Sequence, residues 1–139
     1  MAKIAVVVDG PPGSVVLDGT GVAGGQVMVR LHNVSHARVE GFEIRNLAGA
    51  TDGSGIRVTG SGAGVELIGN RIHGIRGQNA MGITVYATAA APISGLRVIG
   101  NEIFNCEPRP SEALTLNGNV TEFEVGNRTC TTSTTSASI

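Results

Sequence analysis

Two short apolar patterns alternate along the amino-acid sequence and recur at a nearly constant interval. The first occurs as ARVEGFEI from Ala37, VELIGNRI from Val65, LRVIGNEI from Leu96 and FEVGNRTC from Phe123. The second occurs as VRLHN from Val29, IRVTG from Ile56, ITVYA from Ile83 and LTLNG from Leu114. Successive copies of each pattern are 27 to 31 residues apart. Short strands repeated at such an interval are typical of a solenoid, in which each repeat packs on its neighbours.

The composition suits a solenoid whose core consists of aliphatic side chains. Aromatic residues make up 3% of the 139 residues and Trp is absent. Apolar residues occupy every second position of each repeat, which places them on one face of a strand. Stacking buries each of them against its own copies, at ~1.5–3 kcal/mol per fully buried large aliphatic side chain. We therefore expect an all-β fold, a parallel β-helix of four to five coils.

The repeats define the columns of side chains that form the predicted core. Their members are Val29, Ile56, Ile83 and Leu114; Leu31, Val58, Val85 and Leu116; Ala37, Val65, Leu96 and Phe123; Val39, Leu67, Val98 and Val125; and Val22, Ile44, Ile72, Ile103 and Cys130. We interpret Cys130 as a small core residue. Two cysteines, Cys106 and Cys130, are too few for a disulfide framework.

Segments between the repeats are expected to be loops, and a further coil is expected upstream. NLAGATDGS, GIRGQNAM and NCEPRPSE are rich in Gly, Asn and Pro, and ATAAAPIS, residues 87–94, predicts an enlarged turn. IAVVV is expected to be a first strand and VVLDGTGV, residues 15–22, a copy of the second-strand repeat. The β-helix domain is assigned to residues 1–128. The Thr- and Ser-rich tail, residues 129–139, is either disordered or an extended strand that closes the last coil.

The pattern G-N-x-I-x-N, preceded by an aliphatic strand and followed by G-I-x-V, resembles the repeat of right-handed parallel β-helix proteins in the pectate-lyase-like superfamily. VVLDGTGV, GFEIRNL, GITVYAT and SEALTLNGN are similar to the corresponding stretches of secreted bacterial members, and the resemblance covers residues 15–128. The resemblance implies that the coils wind in a right-handed sense. By its length the chain resembles a truncated member of that superfamily. Many proteins with this architecture are polysaccharide lyases or glycoside hydrolases, whereas others are binding or adhesion proteins.

Charge and hydropathy exclude several classes of partner. The formal net charge is −1, which gives no electrostatic basis for binding nucleic acid or an anionic membrane. No apolar run approaches the ~20 residues that cross a bilayer. The resemblance suggests a secreted protein, but the opening MAKIAVVVDG lacks the length and cleavage signature of a signal peptide, so the compartment is left open.

Two outward columns of the predicted sheets alternate in charge from coil to coil. Their members are Arg38, Glu66, Arg97 and Glu124 in one column, and Glu43, Arg71 and Glu102 in the other. Because neighbouring coils are ~4.8 Å apart, each charge is expected to lie over an opposite one. Exposed pairs contribute only ~0–1 kcal/mol each, but like charges at these positions would oppose stacking. We interpret both columns as structural devices that set the register.

The outward face of the first strand departs from this pattern. Its columns are Arg30, Arg57, Thr84 and Thr115, and His32, Thr59, Tyr86 and Asn117. Arg30 and Arg57 are expected to stack without an acid in their column. Arg suits bidentate carboxylate recognition and Tyr suits stacking on a sugar ring. The predicted substrate-binding residues are Arg30, His32, Arg57, Thr84, Tyr86 and Asn117. The alternative is that the arginines splay and pair with Asp9 or Asp52.

In the lyases that the chain resembles, this face carries an acidic polysaccharide, with Ca²⁺ bound by clustered Asp and an Arg or Lys acting as base. By that analogy Arg57 would take the catalytic role. The chain has three Asp, and no two of them adjoin in a column, so no metal site is predicted from the residues and Ca²⁺ enters only through the resemblance. Glu107 and Glu112 flank the fourth first-strand segment and are a candidate carboxylate pair for glycoside hydrolysis.

Two functions therefore remain open at the level of sequence. The first is a lyase-like protein that acts on or binds an acidic polysaccharide through the first-strand face. The second is a non-catalytic β-helix that binds glycan or self-associates. Because neither end has an amphipathic capping helix, we expect a homo-oligomer formed through the open ends of the solenoid.

Overall fold

Parallel strands from successive repeats stack into the sheets of a β-solenoid. The computed structural model describes residues 4–22, 27–109, 114–126, 129–131 and 137–138, and at 49–51, 107–109, 129–131 and 137–138 it describes the backbone alone. Every regular element within these residues is a strand.

Four sheets run along the solenoid. Sheet A consists of β1 (Ile4–Val7), β4 (Ala37–Glu40), β8 (Glu66–Ile68), β12 (Arg97–Ile99) and β17 (Glu124–Gly126). Sheet B consists of β2 (Val16–Asp18), β5 (Glu43–Thr51), β9 (Arg71–Gln78), β13 (Glu102–Phe104), β14 (Glu107–Arg109) and β18 (Thr129–Thr131). Sheet C consists of β3 (Val27–His32), β6 (Ser54–Thr59), β10 (Met81–Ala87), β15 (Leu114–Gly118) and β19 (Ala137–Ser138). Sheet D consists of β7 (Gly62–Ala63), β11 (Ile93–Ser94) and β16 (Val120–Thr121).

The chain passes through sheets A, B, C and D in that order. The predicted all-β parallel solenoid is confirmed, although it makes about three turns and not the four to five coils expected. The difference arises at the two ends. There β1 to β3 and β17 to β19 form turns that, within the described residues, contribute no strand to sheet D. The right-handed sense of winding stays a prediction.

The strands pair in the register that the repeats predict. In sheet C, Ile83 lies between Ile56 and Leu114, and in sheet A, Val98 lies between Leu67 and Val125. The interior is one continuous cluster of aliphatic side chains. Its fully buried members include Ile44, Leu47, Ile56, Leu67, Ile72, Ile83, Leu96, Ile103 and Leu114. At ~1.5–3 kcal/mol for each such side chain, this interior is the main source of stability.

Two buried asparagines bind backbone groups where sheet A turns into sheet B. Asn70 donates from Nδ2 to the carbonyl oxygen of Val39 at 3.1 Å and accepts from the amide of Phe42 at 3.1 Å. Asn101 repeats the arrangement one turn later, donating to the carbonyl oxygen of Leu67 at 2.8 Å. The two side chains also bind each other, Asn70 Nδ2 to Asn101 Oδ1, at 3.1 Å. Backbone groups that the corner removes from the ladder are thereby satisfied.

The predicted upstream coil forms, but its segments belong to different sheets from those expected. IAVV is β1, which pairs with β4 in the second-strand sheet, and VLD is β2, which pairs with β5 in sheet B. Leu17, and not Val22, therefore lies over Ile44 in the third core column. Val22 follows a turn in which Asp18 accepts hydrogen bonds from the amide and hydroxyl of Thr20, so it lies beyond the strand.

The segments predicted as loops largely continue sheet B. Residues with positive φ occupy equivalent places in three turns, at Asn46 (62°), Gly74 (67°) and Asn105 (49°). This conformation redirects the chain without ending the sheet, because Leu47 pairs with Ile75 immediately afterwards. Asn tolerates the left-handed region better than most residues, which explains its use where Gly is not required.

The first charge column is an ion-pair ladder, as predicted. Glu66 lies between Arg38 (3.3 Å) and Arg97 (3.1 Å), and Arg97 continues to Glu124 at 3.3 Å. The Glu66 side chain is only 10% exposed, so its charge depends on these partners.

The second charge column also has the predicted register, with a different set of contacts. Arg71 pairs with Glu102 at 3.0 Å. Glu43 is the register partner of Arg71, but its carboxylate accepts from His73 Nε2 at 2.7 Å.

The first turn of the solenoid exposes apolar side chains, because Ile4, Val6 and Val7 are about half exposed or more. At the other end the backbone of β18 and β19 pairs with β13 and β15, so these parts of the tail extend sheets B and C. The side chain of Cys130 lies outside the described residues. Self-association through the ends stays a prediction.

Candidate functional site

The predicted binding residues lie on adjacent strands of sheet C. The pairing places Arg30 beside Arg57, Arg57 beside Thr84, and Tyr86 between Thr59 and Asn117. His32 pairs with Thr59 and so belongs to the same column as Tyr86. Sheet C therefore brings all six predicted residues onto neighbouring strands. We refer to its outer surface at Arg30, His32, Arg57, Tyr86 and Asn117 as the sheet C face.

Arg57 is held in place on this face by several acceptors. Its Nε donates to Thr84 Oγ1 at 3.1 Å, and its Nη2 donates to Ser54 Oγ at 3.0 Å and to the main-chain carbonyl oxygen of Asp52. The guanidinium carbon lies 5.7 Å from the centroid of the Tyr86 ring, a cation–π contact. These contacts fix a side chain that would otherwise sample many rotamers.

Thr84 and Ser54 form the support beneath Arg57. Both are fully buried, and their hydroxyl oxygens are 2.9 Å apart. Thr84 thus lies below the surface and not on it. Ser54 was not among the residues predicted from the sequence; it precedes Gly55 just as Met81 precedes Gly82 one turn later. A Cβ at Gly55 would lie 2.8 Å from the carbonyl oxygen of Gly82, so this repeated glycine was the signal that neighbouring turns approach closely next to Ser54.

The environment of Arg57 perturbs its ionisation. Burial lowers the pKa of its guanidinium, and the neighbouring charge of Arg30 lowers this pKa too. Tyr86 and Asp52 act in the opposite direction. Arg57 therefore occupies a partly desolvated position in which a bound anion would stabilise its positive charge.

Neither arginine forms an ion pair with a described carboxylate, although the charge of Asp52 raises the pKa of Arg57. Arg30 is exposed, and none of the ion pairs among the described side chains involves Arg30 or Arg57. Asp52 binds Arg57 through its carbonyl oxygen, and Asp9 makes no described ion pair with either arginine. The alternative in which both arginines pair with these loop acids is not the arrangement observed.

The other half of the face holds a shallow depression whose lining is mostly apolar. Tyr86, Ala87, Thr88, Asn117 and Gly118 line a depression of about 210 Å³. The exposed residue Asn117 is the register partner of Tyr86, and an amide next to an aromatic ring suits a sugar's hydroxyl groups and its apolar face.

His32 lies on the same face, one turn before Thr59. Its Nδ1 is 2.8 Å from Thr59 Oγ1, and its Nε2 is 3.1 Å from Asn33 Nδ2. Both nitrogens of this exposed ring are thus within hydrogen-bond distance of side chains on the same surface.

The described residues contain no arrangement for metal binding, and the predicted carboxylate pair lies partly outside them. Among the described residues no group of three or more His, Cys, Asp or Glu side chains is arranged to hold a metal ion. Glu112 and the side chain of Glu107 lie outside the described residues. No helix in the described part of the chain is long and apolar enough to span a bilayer.

No family model, curated protein or solved structure matches this chain. The likeness to the pectate-lyase-like superfamily therefore depends on the repeat pattern alone. What is shown is the architecture, a parallel β-solenoid of about three turns.

Proposed function

We propose that this solenoid is a glycan-binding protein that takes an acidic polysaccharide on the sheet C face. The observation that supports the proposal is the stacking of Arg30 beside Arg57 without a described carboxylate partner. Elsewhere the strand charges alternate and pair, as in the ladder of Arg38, Glu66 and Arg97. A cationic pair next to a Tyr ring suits a chain of sugars that bear carboxylates.

Arg57 is suited to bind an anion because its side chain is already ordered. Fixing it before binding reduces the entropy lost on association. A guanidinium has five N–H groups, and none of the described hydrogen bonds of Arg57 uses Nη1. Nη1 is the group that we expect to donate to a sugar carboxylate. Arg30, one strand away, would bind a second carboxylate of the same polymer.

A lyase is the second candidate, and one observation favours it. Burial lowers the pKa of Arg57, which is the direction that a general base requires. The three acceptors that contact Arg57 favour its charged form, which argues for binding over proton abstraction. The proposal therefore assigns Arg57 to binding, with Thr84 as the residue that positions it.

The test is the affinity of the full chain for polygalacturonate and alginate, with dextran as a neutral polymer, measured by biolayer interferometry. Arg30→Gln and Arg57→Gln should each weaken binding about tenfold or more, since a hydrogen bond to a charged group contributes ~1.5–3 kcal/mol. Arg97→Gln, which removes an exposed charge from sheet A, should change the affinity less than about twofold. Circular dichroism establishes that each variant is folded.

Three results would contradict the proposal. If the chain binds neither polygalacturonate nor alginate, the proposed function is wrong. If it binds dextran as tightly as these polymers, the arginine charges do not determine binding. An equal loss in Arg97→Gln would show that only net charge matters. Formation of unsaturated products that Arg57→Gln abolishes would replace binding with lyase activity.

A further inference from the structure

The first turn of the solenoid presents an apolar end to the solvent. This turn consists of β1, β2 and β3, and each of them is the outermost strand of its sheet among the described residues. Seven large apolar side chains in the described part of the chain are exposed, and six of them lie in this turn: Ile4, Val6, Val7, Val15, Val16 and Val22. Such a concentration is typical of a surface that another molecule covers.

Strand β1 carries no charge on either of its faces. Its inward residues continue two core columns of the next turn. On the outer face Ala5 is the register partner of Arg38, at the head of the first ion-pair ladder. In the same way Val7 is the register partner of Glu40. Charged residues and Pro on an edge strand oppose pairing with further strands, and β1 has neither.

The outer edge of β1 also offers backbone groups for pairing. The amides of Ile4 and Val8 donate to carbonyl oxygens on the side of β4. Because backbone groups alternate from side to side along a strand, those of Ala5 and Val7 point away from β4. Within the described residues no strand pairs with β1 on that side. An added strand would satisfy these groups and cover the apolar end at the same time.

The charges of the first turn favour a second copy of this chain as the added molecule. Residues 4–22 contain two ionisable side chains, Asp9 and Asp18, and no Lys, Arg or His. Asp18 is already paired with Arg45 at 3.0 Å. A nucleic acid or an anionic membrane requires cationic groups that this surface does not have. A second copy requires apolar side chains and unpaired backbone groups, and interfaces between identical subunits are typically the more apolar ones.

We propose that two copies of this chain associate through β1 about a two-fold axis, with the two β1 strands antiparallel. Residues directly opposite each other in an antiparallel pair point to the same face, so inward side chains meet only if the axis passes through a residue. An axis at Val6 pairs all of residues 4–8. Ile4 then lies opposite Val8 of the partner subunit, and Ala5 lies opposite Val7 of the partner subunit. Sheet A continues from one copy into the other, and the assembly closes at two copies.

The dimer does not depend on glycan binding, and its test is the mass of the full chain in solution. Sedimentation equilibrium should show monomers and dimers, and Val7→Lys should raise the dissociation constant about tenfold or more, because lysine on an edge strand opposes pairing. The lysine would lie over Glu40, of opposite charge, so the single chain should stay folded, which circular dichroism checks. Phe123→Lys is the matched control. It changes the remaining exposed large apolar residue of the described chain and should leave the dissociation constant unchanged.

Val6→Cys tests the position of the axis. Residue 6 would face its own copy in a pair without hydrogen bonds, where Cα atoms are about 4.5 Å apart, within the range of a disulfide. In a Cys130→Ser background, and with Cys106 buried, mild oxidation should link this variant into a dimer. Val16→Cys changes an exposed valine of the same turn on β2, away from the axis, and should stay unlinked.

Several results would overturn this assignment. A chain that is monomeric at ~0.1 mM does not form the dimer, since a micromolar dissociation constant would make dimerisation nearly complete there. Masses beyond two chains would indicate that one end stacks on the other. An equal effect of Phe123→Lys, an unchanged dissociation constant in Val7→Lys, or linking of Val16→Cys as readily as Val6→Cys would each exclude β1 as the contact.

Discussion

Replacing the buried asparagine at the first corner should destabilise the solenoid more than its size suggests. In Asn70→Ala the amide of Phe42 and the carbonyl oxygen of Val39 each lose the side-chain partner found 3.1 Å away. Asn70 is fully buried, so water does not readily take its place. At ~1–3 kcal/mol for each buried polar group left unsatisfied, the free energy of unfolding should fall by about 2–6 kcal/mol.

The control for this prediction is an asparagine with a similar bond at the surface. Asn119 is exposed and donates to the carbonyl oxygen of Ala90 at 2.9 Å, so Asn119→Ala should cost less than ~1 kcal/mol because water replaces the amide. Urea denaturation followed by far-ultraviolet circular dichroism gives both free energies, and hydrogen exchange at Phe42 reports the orphaned amide directly. If the Asn70 and Asn119 variants lose the same stability and Phe42 remains protected, the accounting for the buried corner is wrong.

Three further perturbations test the stacking of the turns. Arg97→Glu places a carboxylate between those of Glu66 and Glu124. We expect it to lower the urea midpoint of unfolding more than Arg97→Gln does, and the difference should shrink in high salt. The hydrogen bond from His73 lowers the pKa of Glu43 below its ordinary value. The stabilisation from this bond is therefore present above the ordinary pKa of Glu and is lost as the pH falls through the lowered pKa, and His73→Gln should raise the Glu43 pKa measured by NMR. Gly55→Ala inserts a methyl group 2.8 Å from a backbone oxygen and should cost ~1–3 kcal/mol in thermal or urea unfolding.

Each of these perturbations has a result that counts against it. Equal midpoints for the two Arg97 variants at low salt would show that the ladder does not set the register. An unchanged Glu43 titration in His73→Gln would remove the assigned cause of the shift. Gly126→Ala is the control for the glycine, because its Cβ would meet only Ile99 at 3.9 Å, and an equal loss in both would refute the close-packing argument.

The repeat predicts the core well because the same spacing controls both periodicity and burial. Ile56 and Ile83 are 27 residues apart and are register partners in sheet C. Periodicity is less reliable at the start of the chain, where apolar residues are frequent enough to fit two registers. There Val22 was assigned to a column that Leu17 occupies.

The site was predictable only in part. The register alone placed Arg30 beside Arg57, but it could not show that Thr84 lies beneath the surface or that Ser54 supports Arg57. The bends at Asn46, Gly74 and Asn105 were missed because the sheet B segments with Gly and Asn were interpreted as loops. In fact Asn46 adopts positive φ inside a continuing strand, and sequence composition does not distinguish a bend from an end.

The enlarged turn between β10 and β11 has a practical consequence for engineering. Residues 88–92 protrude between strands that keep their pairing with the turns before and after. Since doubling the length of a flexible loop costs only ~0.6 kcal/mol, a foreign peptide inserted between Ala90 and Ala91 should be displayed outside the solenoid while the winding is retained. A binding peptide can therefore be added at this corner while the stacked strands on either side keep their pairing.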